Sequence, residues 1–163
     1  VDDTVPDNTV EVQLPMVKYL FPEAKGAYLR SPPDENASRL GRVIAEYAAQ
    51  TGTRIVVVGS TDLTHYGPSF GFTPKGTGEE SVRWAREEND RGFLDATVAM
   101  DEARAVEHAL KNHSACSPGA AATAVSFARA RGATTGVLVG YGSSYDKHRD
   151  ASFVGYGGVG FAA

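Results

Sequence analysis

The run Arg54-Ile55-Val56-Val57-Val58-Gly59 constrains the fold more than any other stretch of the chain. Four β-branched residues in succession, with no polar alternation, favour a strand covered on both faces over a half-exposed one. The run comes directly after a helical pattern. Leu40, Val43, Ile44, Tyr47 and Ala48 recur at helical spacing, Asn36 or Ser38 is placed to cap the start, and Gly52 sits where a left-handed cap closes the end. A helix feeding at once into a covered strand is the unit from which α/β sheets are built.

The alternation continues along the chain. Glu79–Asn89 and Arg91–Met100 read as helices, and Asp101 caps another through about Leu110. Ser117-Pro118 reads as an N-cap with proline in the first turn of a helix to Arg131, with Ala121, Ala124, Val125 and Ala128 turned inward. Gly136–Gly140 is expected as a buried strand and Phe153–Phe161 as a final, glycine-punctuated one, with Ala27–Arg30 a further short candidate. Val10–Leu20 fits a helix that Pro15 should kink or shorten. The expectation is a single α/β domain over residues 1–163, with a mostly buried mixed sheet flanked by helices.

Composition removes several classes. One cysteine in 163 residues cannot make an internal disulfide, so a disulfide scaffold is excluded. Twenty acidic residues against 16 basic ones, a net charge of −4, leave no footprint for nucleic acid. Apolar runs are strand-sized, so no membrane span is expected. No charged, apolar-cored leader is visible and Val1 stands first, which reads as a cut within a longer, cytoplasmic protein.

Chemistry is carried by few residues. His65 lies in the long Ser60–Gly78 loop just past the Arg54–Gly59 run, at the carboxyl end of a strand where open α/β sheets build their sites. Asp62, three residues earlier, is placed to accept a proton from one imidazole nitrogen and so to fix the role of the other. Cys116 immediately precedes the Ser117-Pro118 helix start, where unpaired backbone N–H groups favour an anion. His113, three residues before it, and Tyr66, next to His65, are expected to line the same pocket. Asp7 or Thr9 reads as a helix cap, with Glu11 in the first turn. His108 is expected to face solvent on its helix, and His148, between Lys147 and Arg149, to be a charged loop residue.

Several segments together resemble one family. V-E-V-Q-L-P at Val10–Pro15, S-T-D-L-T-H-Y-G at Ser60–Gly67, F-G-F at Phe70–Phe72, the Leu94-Asp95 helix, Cys116-Ser117-Pro118 and the closing Y-G-S-S…V-G-Y-G stretch are similar to the Memo family. That family, also called AmmeMemoRadiSam system protein B, is related in fold to class III extradiol ring-cleaving dioxygenases. The resemblance implies a pocket whose metal ligands are two histidines and a cysteine. The cysteine matches Cys116. One histidine position is Asn8 here, whose amide is a weak ligand; the other lies ahead of anything in this chain. His65 matches the acid/base histidine of the related dioxygenases, with Asp62 as its orienter.

The chain therefore resembles the larger, carboxyl-terminal part of the family domain, without its amino-terminal segment. The preferred expectation is a non-catalytic or vestigial pocket protein, holding iron or copper weakly or not at all and linked to a pathway of AMMECR1-like and radical-SAM proteins. Its ligand is expected to be a small molecule, a metal or a peptide, and neither nucleic acid nor a membrane is expected as partner. The alternatives are a metal-dependent, dioxygenase-like oxidoreductase using Cys116 and His65 with ligands from an upstream segment, and a Cys–His thiol enzyme. Ring cleavage itself is not expected, because non-haem iron oxygenases usually use two histidines and a carboxylate.

Overall fold

The computed structural model describes residues 8–162. It divides into two compact units, Val1–Arg30 and Ser31–Ala163. In the first, the expected Val10–Leu20 helix is two pieces, α1 (Asn8–Glu11) and α2 (Leu14–Leu20). Pro15 stands in the first turn of α2, where its missing N–H costs nothing, so the break falls just before it. Ala27–Arg30, expected as a strand, forms none: no partner ladder reaches it among the described residues.

The second unit opens with α3 (Glu35–Thr51), whose cap is Asp34 rather than Asn36 or Ser38; its carboxylate accepts from the Asn36 N–H at 2.8 Å. Gly52 closes the helix in the left-handed region, φ 66°, as its position suggested. The expected α3 stripe holds in part: Ala48 is buried and Leu40 and Ile44 are half-buried, but the deepest contacts are made by small residues. Ala37, Gly41, Ala45 and Ala48 are buried, while Val43 and Tyr47 stand exposed. Their contact is α7 (Pro118–Ala130), and small residues win because they let the two backbones approach. Thr123 Oγ1 bonds the Ala37 carbonyl at 3.1 Å and Ser126 Oγ the Ser38 carbonyl at 2.7 Å. A Cβ on Gly41 would collide with the Thr123 carbonyl and lie 2.7 Å from the Phe127 nitrogen. Gly41→Ala is therefore expected to destabilise the chain by about 1–3 kcal/mol in urea denaturation, and an unchanged midpoint would refute the close approach.

Between these helices run α4 (Glu79–Trp84), α5 (Asp90–Val98) and α6 (Glu102–Asn112). The two helices expected on either side of Asp90 are one continuous rod, joined by a π-turn over Ala85–Asn89. The extra residue of a π-turn rotates the next turn of the helix, and here both Asn89 and Asp90 end up buried. Asp101 caps α6 as expected, accepting from the Arg104 N–H at 3.0 Å. His108 on α6 does not face solvent freely: it is half-buried against Gly92, with Nδ1 2.8 Å from Ser114 Oγ. His148 is exposed, as expected.

The sheet has three strands in the order β1 (His65–Tyr66), β3 (Phe153–Phe161), β2 (Gly136–Ser143), all antiparallel. It is neither mixed nor mostly buried, because one face alone meets the helices. Leu138, Tyr141 and Val159 pack inward on Leu63, Phe93 and Leu94, whereas Val137 and Val139 of β2 are 65% and 77% exposed. The correction is larger for Arg54–Gly59. It is extended, but its backbone makes no ladder among the described residues. Ile55 and Val57 are half-buried while Val56 is 86% exposed, so the run is covered on one side instead of two. No helix of the described residues is long and apolar enough to cross a membrane.

Candidate functional site

The first half of the Ser60–Gly78 loop is structured, and that structure builds the site. In a regular strand, residues three apart point to opposite faces. Asp62 and His65 nevertheless meet, with Asp62 Oδ2 3.2 Å from His65 Nε2. The cause lies in the two residues between them. The Leu63 N–H donates to the Gly155 carbonyl at 3.0 Å, and the Gly155 N–H donates to the Thr64 carbonyl at 3.1 Å. Two residues thus oppose one, the pattern of a β-bulge, and both turn inward. Leu63 enters the core with Phe93 and Leu94. Thr64 bonds Asp90, its N–H at 2.9 Å from Oδ1 and its hydroxyl to the same oxygen. The extra inward residue leaves Asp62 and His65 on one outer face.

Asp90 anchors this bulge from below. It is fully buried, and its second oxygen accepts from the Tyr141 hydroxyl at 2.6 Å. Gly155 has no room for a side chain, since a Cβ there would strike Asp90 Oδ2. Asn89 adds a bond from Nδ2 to Thr64 Oγ1 at 3.0 Å. Burial pushes the Asp90 carboxyl above its usual range, against the bonds from Thr64 and Tyr141 and the Arg86 charge, which pull it down. A carboxyl raised in the folded chain contributes stability that is full below its unfolded value, about 3.9, and is lost as pH rises through the folded value. The native chain is therefore expected to lose stability relative to Asp90→Asn as pH rises above about 4 in urea denaturation; parallel pH profiles would contradict this.

Cys116 is brought to the same face by two backbone bonds. Its N–H donates to the Asp62 carbonyl at 3.1 Å, and the Ser117 N–H donates to Thr61 Oγ1 at 2.9 Å. The sulfur is exposed, 3.7 Å from the hydroxyls of both Thr61 and Ser117, and stands one residue ahead of the α7 N-cap. One ligand atom each from Asp62, His65 and Cys116 lie within 4.8 Å of one another. The His65 ring rests against Phe70, centroids 4.9 Å apart.

Tyr66 and His113 do not join this cluster. Tyr66, one residue past His65, points to the opposite face and is fully buried, stacked on Phe153 at 5.1 Å. Its hydroxyl donates to the Gly76 carbonyl and accepts from the Lys75 N–H, both at 2.9 Å, so it ties down the loop. His113 ends α6 in a left-handed conformation with its ring edge-on to Phe72, and it is not among the three converging side chains. Asn8 begins α1 in the other unit; its side chain, like Asp7, lies outside the described residues. A cavity of about 370 Å³ lined by Arg86, Leu94, Leu138 and Tyr141, among others, contains none of the three converging residues. Sequence reading missed Thr61, Phe70 and Tyr156. All three lie within the segments that carry the family resemblance, S-T-D-L-T-H-Y-G, F-G-F and V-G-Y-G, though residue type alone marks none of them as a pocket residue.

A family model described as Memo-like protein matches residues 3–160. The chain belongs to the Memo family. MEMO1 family proteins of Thermococcus kodakarensis and Pyrococcus furiosus are each 30% identical to it, over 164 and 162 residues. Those alignments cover 95% and 94% of this chain but 56% and 55% of the relatives. A MEMO1 family protein of Methanopyrus kandleri is also 30% identical, with 96% of this chain and 50% of the relative covered. This Memo-family chain thus spans about half the length of the curated relatives it matches.

Proposed function

We propose that this Memo-family chain is a metal-binding pocket protein whose ion is held by Cys116, His65 and Asp62. The observation that carries the reading is the convergence of a thiol, an imidazole and a carboxylate within 4.8 Å on one face. This donor set fits the iron or copper that the family resemblance implies: a soft sulfur and a borderline nitrogen suit both, and three protein ligands leave positions open. Asp62 in its carboxylate form only accepts hydrogen bonds, so the proton of their 3.2 Å bond sits on His65 Nε2 and Nδ1 keeps its lone pair. Asp62 thus steadies the ring through one oxygen and adds negative charge to the donor set. Thr61 and Ser117 hold the sulfur by their hydroxyls, and Phe70 walls one side of the imidazole. A bound ion would supply Lewis acidity at its open positions. The reading extends to the class III extradiol dioxygenase-like architecture and to AMMECR1-like and radical-SAM partners, as the family resemblance implies, without ring cleavage.

Cobalt(II) is the probe, because it reports a thiolate ligand by a sulfur-to-metal absorption band. One equivalent is expected to bind with that band, reversibly to chelator. No binding at millimolar cobalt would defeat the reading. The Asp62–His65 bond beside an exposed thiol also favours Cys–His–Asp thiol chemistry as a second reading. That alternative predicts alkylation of Cys116 in metal-free protein slowed by His65→Ala, together with no cobalt band.

A further inference from the structure

The β-bulge that pairs Asp62 with His65 also determines what lies across from them. His65 is opposite Val154, and Gly155 is opposite both bulge residues. The next residue of β3, Tyr156, therefore stands across from Asp62. Val154 and Tyr156 alternate with inward-facing Gly155, so both share the outer face with Asp62 and His65. Cross-strand neighbours on one face have Cβ atoms about 5 Å apart, within reach of an aromatic side chain. Asp62 and Tyr156 are also close enough to interact by charge: burial first, then the Asp62 carboxylate, raises the Tyr156 phenol above its usual range. The ring is 47% exposed, and its hydroxyl makes no hydrogen bond among the described residues. By contrast the hydroxyls of the buried Tyr66 and the half-buried Tyr141 both have partners.

We infer that Tyr156 is the ligand-selecting residue of this pocket, its hydroxyl donating a hydrogen bond to a small carboxylate bound at an open position of the ion. The inference rests on the metal reading above. Cys116, His65 and Asp62 are donors of electron pairs and would be occupied by the cation, so none of them can donate a proton to a bound anion once His65 Nε2 is engaged by Asp62. Tyr156 supplies that missing donor, on the same face and unspent. Phe70, tilted against His65, and Val154, opposite it, give the pocket an apolar wall on the imidazole side. A cation beside one neutral donor and an apolar wall suits a small carboxylate with a short hydrocarbon body.

The test uses the full chain loaded with cobalt(II) and acetate as the probe anion, with the shift of the cobalt bands as the readout. Acetate is expected to perturb those bands saturably, and Tyr156→Phe to weaken acetate binding about tenfold, the usual worth of a hydrogen bond to a charged group. Cobalt affinity and the sulfur-to-cobalt band should stay as in the native chain, because the phenol is not a ligand. Equal acetate affinity in the two proteins overturns the inference, as does an absence of any acetate effect on the native bands. A fall in cobalt affinity matching the fall in acetate affinity also overturns it, since Tyr156 would then act on the ion. If the native chain takes up no cobalt, it is the metal reading that fails, and with it this inference.

Discussion

Replacing Cys116 with alanine is expected to weaken cobalt(II) binding by at least about 100-fold and to erase the sulfur-to-cobalt band. Loss of an outer partner of a metal site alone costs about 10–100-fold, and Cys116 is placed as a direct ligand. It is also the chain's only sulfur ligand of the thiolate type, so no neighbour replaces its softness. Cys116→Ser should retain part of the affinity without the band, because a neutral hydroxyl oxygen is a harder, weaker donor than a thiolate. His65→Ala should approach the effect of Cys116→Ala. Thr61→Ala should cost less, roughly tenfold, because Thr61 acts by holding the Ser117 N–H and the sulfur in place. Since Cys116 is exposed, its loss should move unfolding by no more than about 0.5 kcal/mol. Binding of Cys116→Ala with the native affinity and spectrum would remove the sulfur from the site.

Asp90→Ala is expected to be the most damaging single substitution for stability, at about 3–5 kcal/mol. It leaves three donors without their acceptor: the Thr64 N–H, the Thr64 hydroxyl and the Tyr141 hydroxyl. It also opens a void beneath Gly155, whose missing side chain exists to admit the carboxylate. Melting temperature should fall by roughly 10–20 °C in a chain of this size. The bulge should relax with it, so cobalt affinity is expected to fall even though Asp90 touches none of the three ligand atoms. Asp90→Asn keeps the shape and one acceptor oxygen, and should lose less of both. A variant Asp90→Ala that unfolds like the native chain would show that the buried network contributes nothing net. One that unfolds early but binds cobalt normally would separate the anchor from the site.

Much of this architecture could be read from short stretches of chain. Gly52, Asp101 and Ser117-Pro118 mark helix ends by chemistry that acts within a few residues, and all three stand where that chemistry put them. Phe153–Phe161 was likewise visible as a strand. His65, Asp62 and Cys116 stood out by residue type and by their flanking residues, and they do converge. Where the reading failed, the missing information lay far along the chain. Arg54–Gly59 has the composition of a covered strand, but covering is a property of neighbours, and among the described residues none pairs with it. The α3 stripe is inward at Ala48 and partly so at Leu40 and Ile44, but Val43 and Tyr47 stand out, because Gly41 and the alanines bury better against α7 than those larger residues can. Asp90 sits in the run Glu87-Glu88-Asn89-Asp90-Arg91, which reads as a solvated face, and only the π-turn before it turns the carboxylate inward. Tyr156 belongs to the V-G-Y-G stretch that carries the family resemblance, but its place across from Asp62 follows only from Gly155 opposing two residues.

The amino-acid order, then, was enough for the helix boundaries, the glycine-rich final strand, the family and the three side chains with ligand chemistry, because each depends on contacts within a turn or two or on residue identity alone. Folding in three dimensions was needed to place Asp62 and His65 on one face, to send Tyr66 to the other, and to set Tyr156 across from the carboxylate. Those outcomes arise from one irregular pairing, Leu63 and Thr64 against Gly155 with Asp90 beneath, between segments that no local preference could have brought together.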